Sequence, residues 1–168
     1  MRILAGRFKG RSIKTISSTS YRPTQSRIRK SLFDILGPLN GLSFLDLYSG
    51  SGIIGFEAAS RGSDNVTFVE NDYTTIKLLH ENVHNFEKNI FSINKKYSLN
   101  FLKICREHDI IFADPPYTYK ELPELVKLGC DRITPSGTFI LETRTGIELP
   151  ESEDVRIYGD TQLNFWMK

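Results

Sequence analysis

Residues 114–117, Asp-Pro-Pro-Tyr, have the chemistry needed to hold a flat base by its exocyclic amino group. They follow the apolar residues 110–113, which predict a buried strand ending at a functional loop. The two prolines fix φ and remove two N–H donors, so the carbonyls of Asp114 and Pro115 stay outside any β-ladder. The carboxylate and a carbonyl can accept two amine N–H bonds while Tyr117 stacks on the base. Taken alone, the tetrapeptide could also be a proline-rich turn.

A glycine-rich turn is the second candidate site. Gly50, Gly52 and Gly55 form G-x-G-x-x-G between a predicted strand at 43–47 and a predicted helix. Glycine allows a tight turn and close approach to a ligand, and the helix start offers free N–H groups. Glu70 ends the next predicted strand, 20 positions after Gly50. An acid at this spacing binds ribose hydroxyls in dinucleotide and nucleoside sites. A glycine turn with a surface glutamate is the alternative.

Two ligands fit this turn, and the rest of the sequence favours one of them. A nicotinamide dinucleotide would place its pyrophosphate on the helix N-terminus. S-adenosylmethionine has no phosphate and needs acceptors for its ammonium group, for which Asp46 at the strand end is suited. Hydride transfer has no use for the Asp-Pro-Pro-Tyr loop, whereas methyl transfer to an amine does. We therefore expect S-adenosylmethionine as the cofactor, bound by Asp46, Ser49, Gly50, Gly52, Glu70 and Asn71.

Nearly the whole chain resembles one protein family, the bacterial 16S rRNA guanine-N2 methyltransferases that act on guanine 966. The amino-methyltransferases of adenine, cytosine and guanine share the Asp-Pro-Pro-Tyr loop, so this loop indicates the chemistry. Residues 2–6 and 22–33 narrow the resemblance to the rRNA family. The segments that carry the resemblance are 2–6, 9–11, 22–24 with Arg27, Arg29, Leu32 and Phe33, then 46–55, Glu70, 114–117 and 139–142.

The resemblance implies a fold, a cofactor and a substrate. The fold is α/β, a Rossmann-like class I S-adenosylmethionine-dependent methyltransferase with a mostly parallel sheet and helices on both faces. The methyl acceptor is a guanine in small-subunit rRNA, with Asp114, Pro115 and Tyr117 as catalytic residues. The chain departs from the family at Tyr97, where members usually carry an Asp or Asn that contacts the adenine of the donor.

The charge distribution favours an RNA partner. The net charge is only +2, but residues 1–33 hold nine basic and no acidic residues. The rest of the chain holds 13 basic and 20 acidic residues, a net charge of −7. A basic segment on an acidic body is typical of proteins that bind phosphates, although a solvated charge run is the alternative. We expect 16S rRNA, within an assembling small subunit, to contact Arg2, Arg7, Lys9, Arg11, Arg22 and Arg27.

Hydrophobic periodicity predicts a single domain of alternating strands and helices. It comprises a basic β-hairpin arm (1–21) and a Rossmann-like catalytic core (22–168). A helix should begin at Thr24 and end near Leu36, before Gly37-Pro38. Further strands are predicted at 43–47, 66–69, 90–93, 109–113 and 138–142, helices at 53–61, 72–86, 98–105 and 121–132, and an antiparallel terminal hairpin at 155–158 and 163–167.

Several function classes are excluded at this level. No apolar run approaches 18 residues and no secretory signal begins the chain, so we expect a cytoplasmic protein without a membrane span. Cys105 and Cys130 lack the spacing of a metal site or a disulfide framework. His80 and His84 could share a helix face but have no third ligand, so no metal is expected. A monomer is expected.

Two other functions remain open from the sequence. One is a catalytically degenerate methyltransferase that still binds RNA, which the substitution at Tyr97 favours. The other is an amino-methyltransferase acting on another RNA base or on DNA, because those enzymes share the Asp-Pro-Pro-Tyr loop. DNA enzymes usually add a recognition domain, for which 168 residues leave little room.

Overall fold

The computed structural model describes residues 1–15 and 26–168, and its strands form one seven-stranded sheet in the order β3-β2-β1-β4-β5-β7-β6. The strands are β1 (Ser43–Leu47), β2 (Asn65–Glu70), β3 (Phe91–Lys95), β4 (His108–Ala113), β5 (Ile133–Arg144), β6 (Asp154–Tyr158) and β7 (Thr161–Met167). The helices are α1 (Ser26–Leu36), α2 (Ile53–Ser60), α3 (Tyr73–Val83), α4 (Ser98–Leu102) and α5 (Leu122–Asp131), with a short 3-10 helix at Lys88–Ile90.

The strand order changes direction at the centre of the sheet. From β1 the chain moves outward to β2 and β3, then returns to place β4 on the other side of β1. Strands β1 to β5 are parallel, and β7 and β6 complete the sheet as an antiparallel hairpin. The predicted α/β class is confirmed, including the hairpin at the sheet edge. In such sheets, ligands bind at the carboxyl ends of the two strands that flank the change of direction.

Each face of the sheet carries its own apolar layer, because β1 and β4 are buried on both faces. Phe44 and Phe112 pack with α1, α2 and α3 on one face. Leu45 and Ile111 pack with α4 and α5 on the other face. A strand buried on both faces is a near-continuous apolar run, which is why the sequence predicted both strands.

Gly55 shows why the third glycine of the turn is required for packing. A Cβ at this position would lie 2.3 Å from Cε1 of Phe68, so only glycine lets α2 lie this close to β2. This is the helix–strand packing role of the third glycine in a G-x-G-x-x-G turn. The turn therefore brings the helix start close to the sheet edge where a ligand would bind.

Three predicted boundaries were wrong by three residues or more, and one of them is the end of α4, at Leu102 rather than at residue 105. Helix α3 ends at Val83 rather than at residue 86, because the chain turns there with Phe86 N–H donating to the Val83 carbonyl. Strand β5 begins at Ile133 rather than at residue 138. Its register against β4 shifts, with Ile133 opposite His108 and Thr138 opposite Ile110. Residues 133–137, which the sequence analysis left between a helix and a strand, therefore belong to β5 as an irregular part of the strand.

The predicted hairpin at the N-terminus is a loop with one antiparallel bridge, between Arg2 and Ser12. The loop does not project from the domain. Phe8 is buried and its ring meets Phe86 at 5.1 Å, while the N–H of Arg7 donates to the Ser60 carbonyl at 2.8 Å. Arg22 and the predicted helix start at Thr24 lie outside the described residues, and the division at residue 21 stays a prediction.

Glu57 of α2 fastens this N-terminal segment to the core. Its side chain is fully buried, and its two oxygens accept the N–H groups of Leu4 and Ala5 at 2.8 and 3.1 Å. Arg61 Nε donates to the same carboxylate at 3.0 Å. The buried Arg29 of α1 places Nε 3.7 Å from it and donates through Nη2 to the Arg2 carbonyl. One buried carboxylate thus connects the N-terminus, α1 and α2.

The two cysteines of the chain are partly buried. Burial raises the pKa of Cys105 and raises that of Cys130 to about 11, so both thiols are poor nucleophiles. No group of three or more metal-binding side chains occurs among the described residues. Within the same ranges, no helix has the length and apolarity needed to cross a membrane.

The Glu57→Gln variant should lose roughly 3 kcal/mol of unfolding free energy, because it leaves the buried Arg29 guanidinium without its counter-charge. Urea unfolding followed by circular dichroism measures this. Glu87→Gln is the control, since Glu87 pairs with Arg7 at the surface and its loss should cost less than about 1 kcal/mol. Equal effects of the two substitutions would contradict a structural role for the buried carboxylate.

Candidate active site

The two loops with candidate chemistry begin side by side. Leu47, the last residue of β1, pairs in parallel with Ala113, the last residue of β4. The glycine turn and the Asp-Pro-Pro-Tyr loop therefore leave the sheet at the same level, at the change of strand direction. The rings of Tyr48 and Tyr119, one from each loop, meet edge to face at 5.5 Å. The sequence did not reveal this contact, which joins the two loops.

The glycine turn has a tightly specified backbone. Tyr48, Gly50 and Gly52 all have positive φ, at 55°, 53° and 79°, and the N–H of Gly52 donates to the Ser49 carbonyl at 2.8 Å. Ser49 is buried, and its hydroxyl accepts the Val69 N–H of β2 at 2.9 Å. Ser49 thus ties the turn to the neighbouring strand. Positive φ at Tyr48, a residue other than glycine, marks backbone strain at this loop.

Asp46 lies beneath the turn, with its side chain 2% exposed. Its Oδ2 accepts the Gly55 N–H at 3.0 Å, which fixes the first turn of α2. Burial raises the pKa of this carboxyl well above its usual range, with the Gly55 hydrogen bond opposing and the nearby charge of Glu70 adding to the rise. The side chain expected to bind a ligand ammonium is therefore in contact with the backbone of the turn.

Glu70 ends β2 and is held by three backbone donors. Oε2 accepts the Gly50 N–H at 3.1 Å, and Oε1 accepts those of Asn71 and Asp72 at 2.8 and 3.0 Å. A carboxylate offers about four lone-pair directions, so one remains for a further donor. The carboxylate is fixed against the glycine turn, where it can accept a ribose hydroxyl. Asn71 is exposed next to it.

Tyr97 stands at the same edge of the sheet. Glu70 pairs with Lys95 at the end of β3, and the N–H of Lys96 donates to the Glu70 carbonyl at 3.0 Å. Tyr97 follows directly as the residue before α4, with 68% of its surface exposed. The position that usually holds an acid in the family thus presents an exposed aromatic ring beside the Glu70 strand end.

The Asp-Pro-Pro-Tyr loop follows β4 as predicted. Asp114 is half-buried and Pro115 is buried, whereas Tyr117 is 36% exposed. The Pro116 carbonyl accepts the Tyr119 N–H at 2.8 Å, which closes a turn over the Tyr117 position. A buried proline between an accessible carboxylate and an aromatic ring keeps the loop rigid.

Glu142 lies on the strand next to Asp114. The pair Ala113–Leu141 ends the β4–β5 register, and Glu142 is one residue further along, buried and opposite Leu163 of β7. Asp114 and Glu142 therefore occupy equivalent positions on neighbouring parallel strands. Both residues make interactions within the protein.

Arg7 and Arg11, two of the basic residues expected to bind RNA, lie away from this site. Arg7 pairs with Glu87 at 3.2 Å, and Arg11 donates to the Asn85 carbonyl at 3.0 Å. Both partners follow the C-terminus of α3, just before β3 begins, so they lie at the edge of the sheet opposite the two loops. Lys9, Arg2 and Arg27 are exposed, and Arg22 falls outside the described residues. The structure therefore does not bring Arg7 and Arg11 to the candidate catalytic loop.

The parallel sheet, the glycine turn and the acid ending β2 define the architecture of a class I methyltransferase. A family model described as "Conserved hypothetical protein 95" matches residues 1–167. The chain belongs to this family.

Related proteins carry methyltransferase names. YlbH of Bacillus subtilis, provisionally named as an rRNA methyltransferase, is 34% identical over 161 residues, covering 90% of this chain and 87% of the relative. Ribosomal RNA small subunit methyltransferase D of Haemophilus influenzae is 32% identical over 151 residues, covering 85% and 78%. The chain is thus similar to rRNA methyltransferases over most of its length.

Solved structures agree on the fold. The Escherichia coli protein yhhF, provisionally described as a methyltransferase, superposes with a TM-score of 0.87 at 25% identity, covering 100% of this chain and 97% of that one. SMU.776, a more distant neighbour at 15% identity and a TM-score of 0.72, was solved in complex with SAH. It covers 96% of this chain and 52% of its own, and it shares the fold alone.

The Asp46→Asn variant should change the pH dependence of stability. Burial raises the pKa of Asp46, so its contribution to stability is complete below the ordinary carboxyl pKa and is lost as the pH rises through the raised value. Asparagine keeps an oxygen for the Gly55 N–H without a charge. Relative to wild type, the variant should therefore gain unfolding free energy as the pH rises from about 5 toward the raised pKa of Asp46. Urea titrations at several pH values measure the difference in unfolding free energy between variant and wild type. A difference that does not change with pH in this range would contradict the ionisation of a buried Asp46 carboxyl.

Proposed function

We propose that this protein transfers a methyl group from S-adenosylmethionine to the exocyclic N2 amine of a guanine in small-subunit rRNA. The observation that carries the proposal is the pairing of Leu47 with Ala113, because it brings the glycine turn beside the Asp-Pro-Pro-Tyr loop. The names of the relatives support rRNA as the substrate.

The donor site is suited to a nucleoside without phosphates. Glu70 is fixed by three N–H groups and retains a lone pair for a ribose hydroxyl. Asp46, Ser49, Gly50 and Gly52 shape the turn that faces it, with Asp46 acting through the Gly55 N–H. Tyr97 offers a stacking surface for adenine in place of the usual acid. Asp46 accepts the Gly55 N–H at the start of α2, so that donor is not available to a pyrophosphate, which favours a donor molecule without phosphates.

The acceptor loop orients the amine that is methylated. The Asp114 carboxylate and the Pro115 carbonyl accept the two amine hydrogens, which directs the nitrogen lone pair toward the methyl group. Both acceptors also stabilise the positive charge that develops on nitrogen. The sulfonium of S-adenosylmethionine supplies the activated methyl group when it is bound. Asp114 is the nearest acceptor for the proton released afterwards.

Tyr117 holds the target base outside the RNA stack. A base must leave its stack to reach a pocket of this kind, and aromatic rings retain flipped bases. Partial exposure of the ring next to Asp114 provides such a surface. The choice of the guanine amine, at position 966 of 16S rRNA, rests on the resemblance of residues 2–6 and 22–33 to the rRNA guanine-N2 methyltransferase family.

We further propose that the protein acts as a cytoplasmic monomer on assembling small subunits.

A degenerate RNA-binding protein is the second candidate, and the exposed Tyr97 favours it. Such a protein would bind small-subunit rRNA without methylating it. An amino-methyltransferase acting on another RNA base or on DNA would keep activity but change substrate. The three possibilities differ in what they methylate, so one substrate panel separates them.

Asp114→Ala should reduce single-turnover methylation by about 10²–10³, because it removes an acceptor of developing positive charge. The assay follows tritiated methyl transfer to 16S rRNA, to assembled small subunits and to duplex DNA. Asp64→Ala, at an exposed aspartate in the loop before β2, is the matched control. RNA binding should change much less than turnover, since most contacts to RNA are made to phosphates. Wild-type turnover by the Asp114 variant would leave the loop with a structural role only.

Glu70→Ala should weaken S-adenosylmethionine binding without preventing folding. The variant loses a charged hydrogen-bond acceptor, which is typically worth about 1.5–3 kcal/mol. Isothermal titration with S-adenosylmethionine measures this, with NAD as the competing ligand. Glu81→Ala, at an exposed glutamate of α3, is the control. Binding of NAD alone would refute the assignment of the donor.

A further inference from the structure

Several basic residues in the N-terminal part of the chain form ion pairs with carboxylates. Arg7 pairs with Glu87 and Lys14 pairs with Glu81, each within 3.2 Å. On α1, Lys30 pairs with Asp34. Such pairs neutralise charge that the sequence alone had assigned to RNA. Arg7 also lies at the sheet edge opposite the catalytic loop, so its contacts cannot hold the target nucleotide in place.

Arg144 differs from these basic residues because its guanidinium contacts an aromatic ring. It ends β5, is exposed, and places its guanidinium carbon 4.7 Å from the centre of the Tyr117 ring. Among the described residues, no carboxylate lies within ion-pair distance of it. The guanidinium therefore lies beside the Asp-Pro-Pro-Tyr loop without an ion pair to a described carboxylate.

The surroundings of Arg144 hold it in register with Tyr117. The backbone of Arg144 pairs with Thr161 of β7, and Thr161 is buried. The Tyr117 hydroxyl lies 3.4 Å from Thr161 Oγ1. Strand pairing, a hydroxyl contact and a cation–π contact thus connect the three residues. A guanidinium over a ring keeps its in-plane N–H donors free, and these donors match the oxygens of a phosphate in pairs.

We propose that Arg144 binds a backbone phosphate of the RNA next to the target nucleotide. The inference rests on the proposed function, because the nucleotide is held at Tyr117. Arg144 covers one face of the Tyr117 ring and the residue stays 36% exposed, so we assign the base to the opposite face. Phosphate contacts set the position of a nucleic acid on a protein, and a bidentate arginine contact also sets its direction. Arg144 would then place the base at Asp114 by holding the backbone beside it.

The test compares Arg144→Ala and Arg144→Lys with Arg156→Ala. Arg156 is an exposed arginine on β6 that pairs with Asp154, so it controls for the loss of a surface arginine. Binding of small-subunit rRNA is measured over a range of salt concentrations. Loss of one phosphate contact should reduce the slope of log affinity against log salt by about one. Arg144→Lys should keep the slope near wild type, and Arg156→Ala should leave it unchanged.

Single-turnover methylation at varied RNA concentration gives a second readout. The half-saturating RNA concentration of Arg144→Ala should rise on the order of tenfold, since a charged hydrogen bond is lost. The rate at saturating RNA should change much less. An unchanged salt slope together with a lower saturated rate would overturn the proposal, because Arg144 would then only support the Tyr117 ring.

The slope comparison needs only RNA binding, so it separates this inference from the proposed function. Wild-type protein that binds rRNA but methylates nothing would refute the proposed reaction, while the slopes would still decide the contact of Arg144. Melting temperatures of the three variants check that all are folded. If Arg144→Ala destabilises the loop, the salt slope of Arg144→Lys, which keeps the positive charge, is compared with wild type instead.

Discussion

The parallel pairing of β1 with β4 is the constraint on which the site depends. It brings together two loops whose anchor residues, Leu47 and Ala113, are 66 positions apart in the chain. In the proposed reaction neither loop has the complete chemistry, since the glycine turn would contact the nucleoside and the Asp-Pro-Pro-Tyr loop would accept the amine hydrogens. The apolar layers on both faces hold the pair in register, because a slip of one residue would turn buried side chains to the opposite face. The distance between donor and acceptor sites is thus set by core packing.

Charged side chains make different contacts in two regions of the molecule. In the first region, around Glu57, buried charges are paired with each other and with peptide N–H groups, and they fasten the N-terminus to α2. In the second, at the carboxyl edge of the sheet, the cationic groups of Arg144 and Lys95 lie over the aromatic rings of Tyr117 and Tyr73. Cation–π contacts orient a positive group without neutralising it. Charge at that edge therefore remains available to a polyanion.

The sequence was informative where a local pattern determines the structure. Continuous apolar runs predicted β1 and β4, and glycine and proline marked the loops that follow them. The sequence was less informative about features that depend on contacts between residues far apart in the chain. Counting charges could not show that Arg7 and Lys14 meet Glu87 and Glu81.

Similar limits apply elsewhere in the chain. The hydrogen bond that directs Asp46 to Gly55 depends on how the turn curves, and the Tyr48–Tyr119 contact depends on the change of strand direction. The start of β5 was missed because Pro135 and Gly137 predict a break, whereas the strand continues through them with a shifted register.

The carboxylate of Glu70 illustrates how folding prepares a binding site. Three peptide N–H groups fix its rotamer, so the conformational entropy of this side chain, up to about 2 kcal/mol, is lost when the protein folds. A ligand that binds there meets an acceptor that needs no reorientation. The same hydrogen bonds tie the carboxylate to Gly50, so movement of the glycine turn would displace the acceptor as well. The turn and the acid should therefore respond to heat or to ligand as a single cooperative unit.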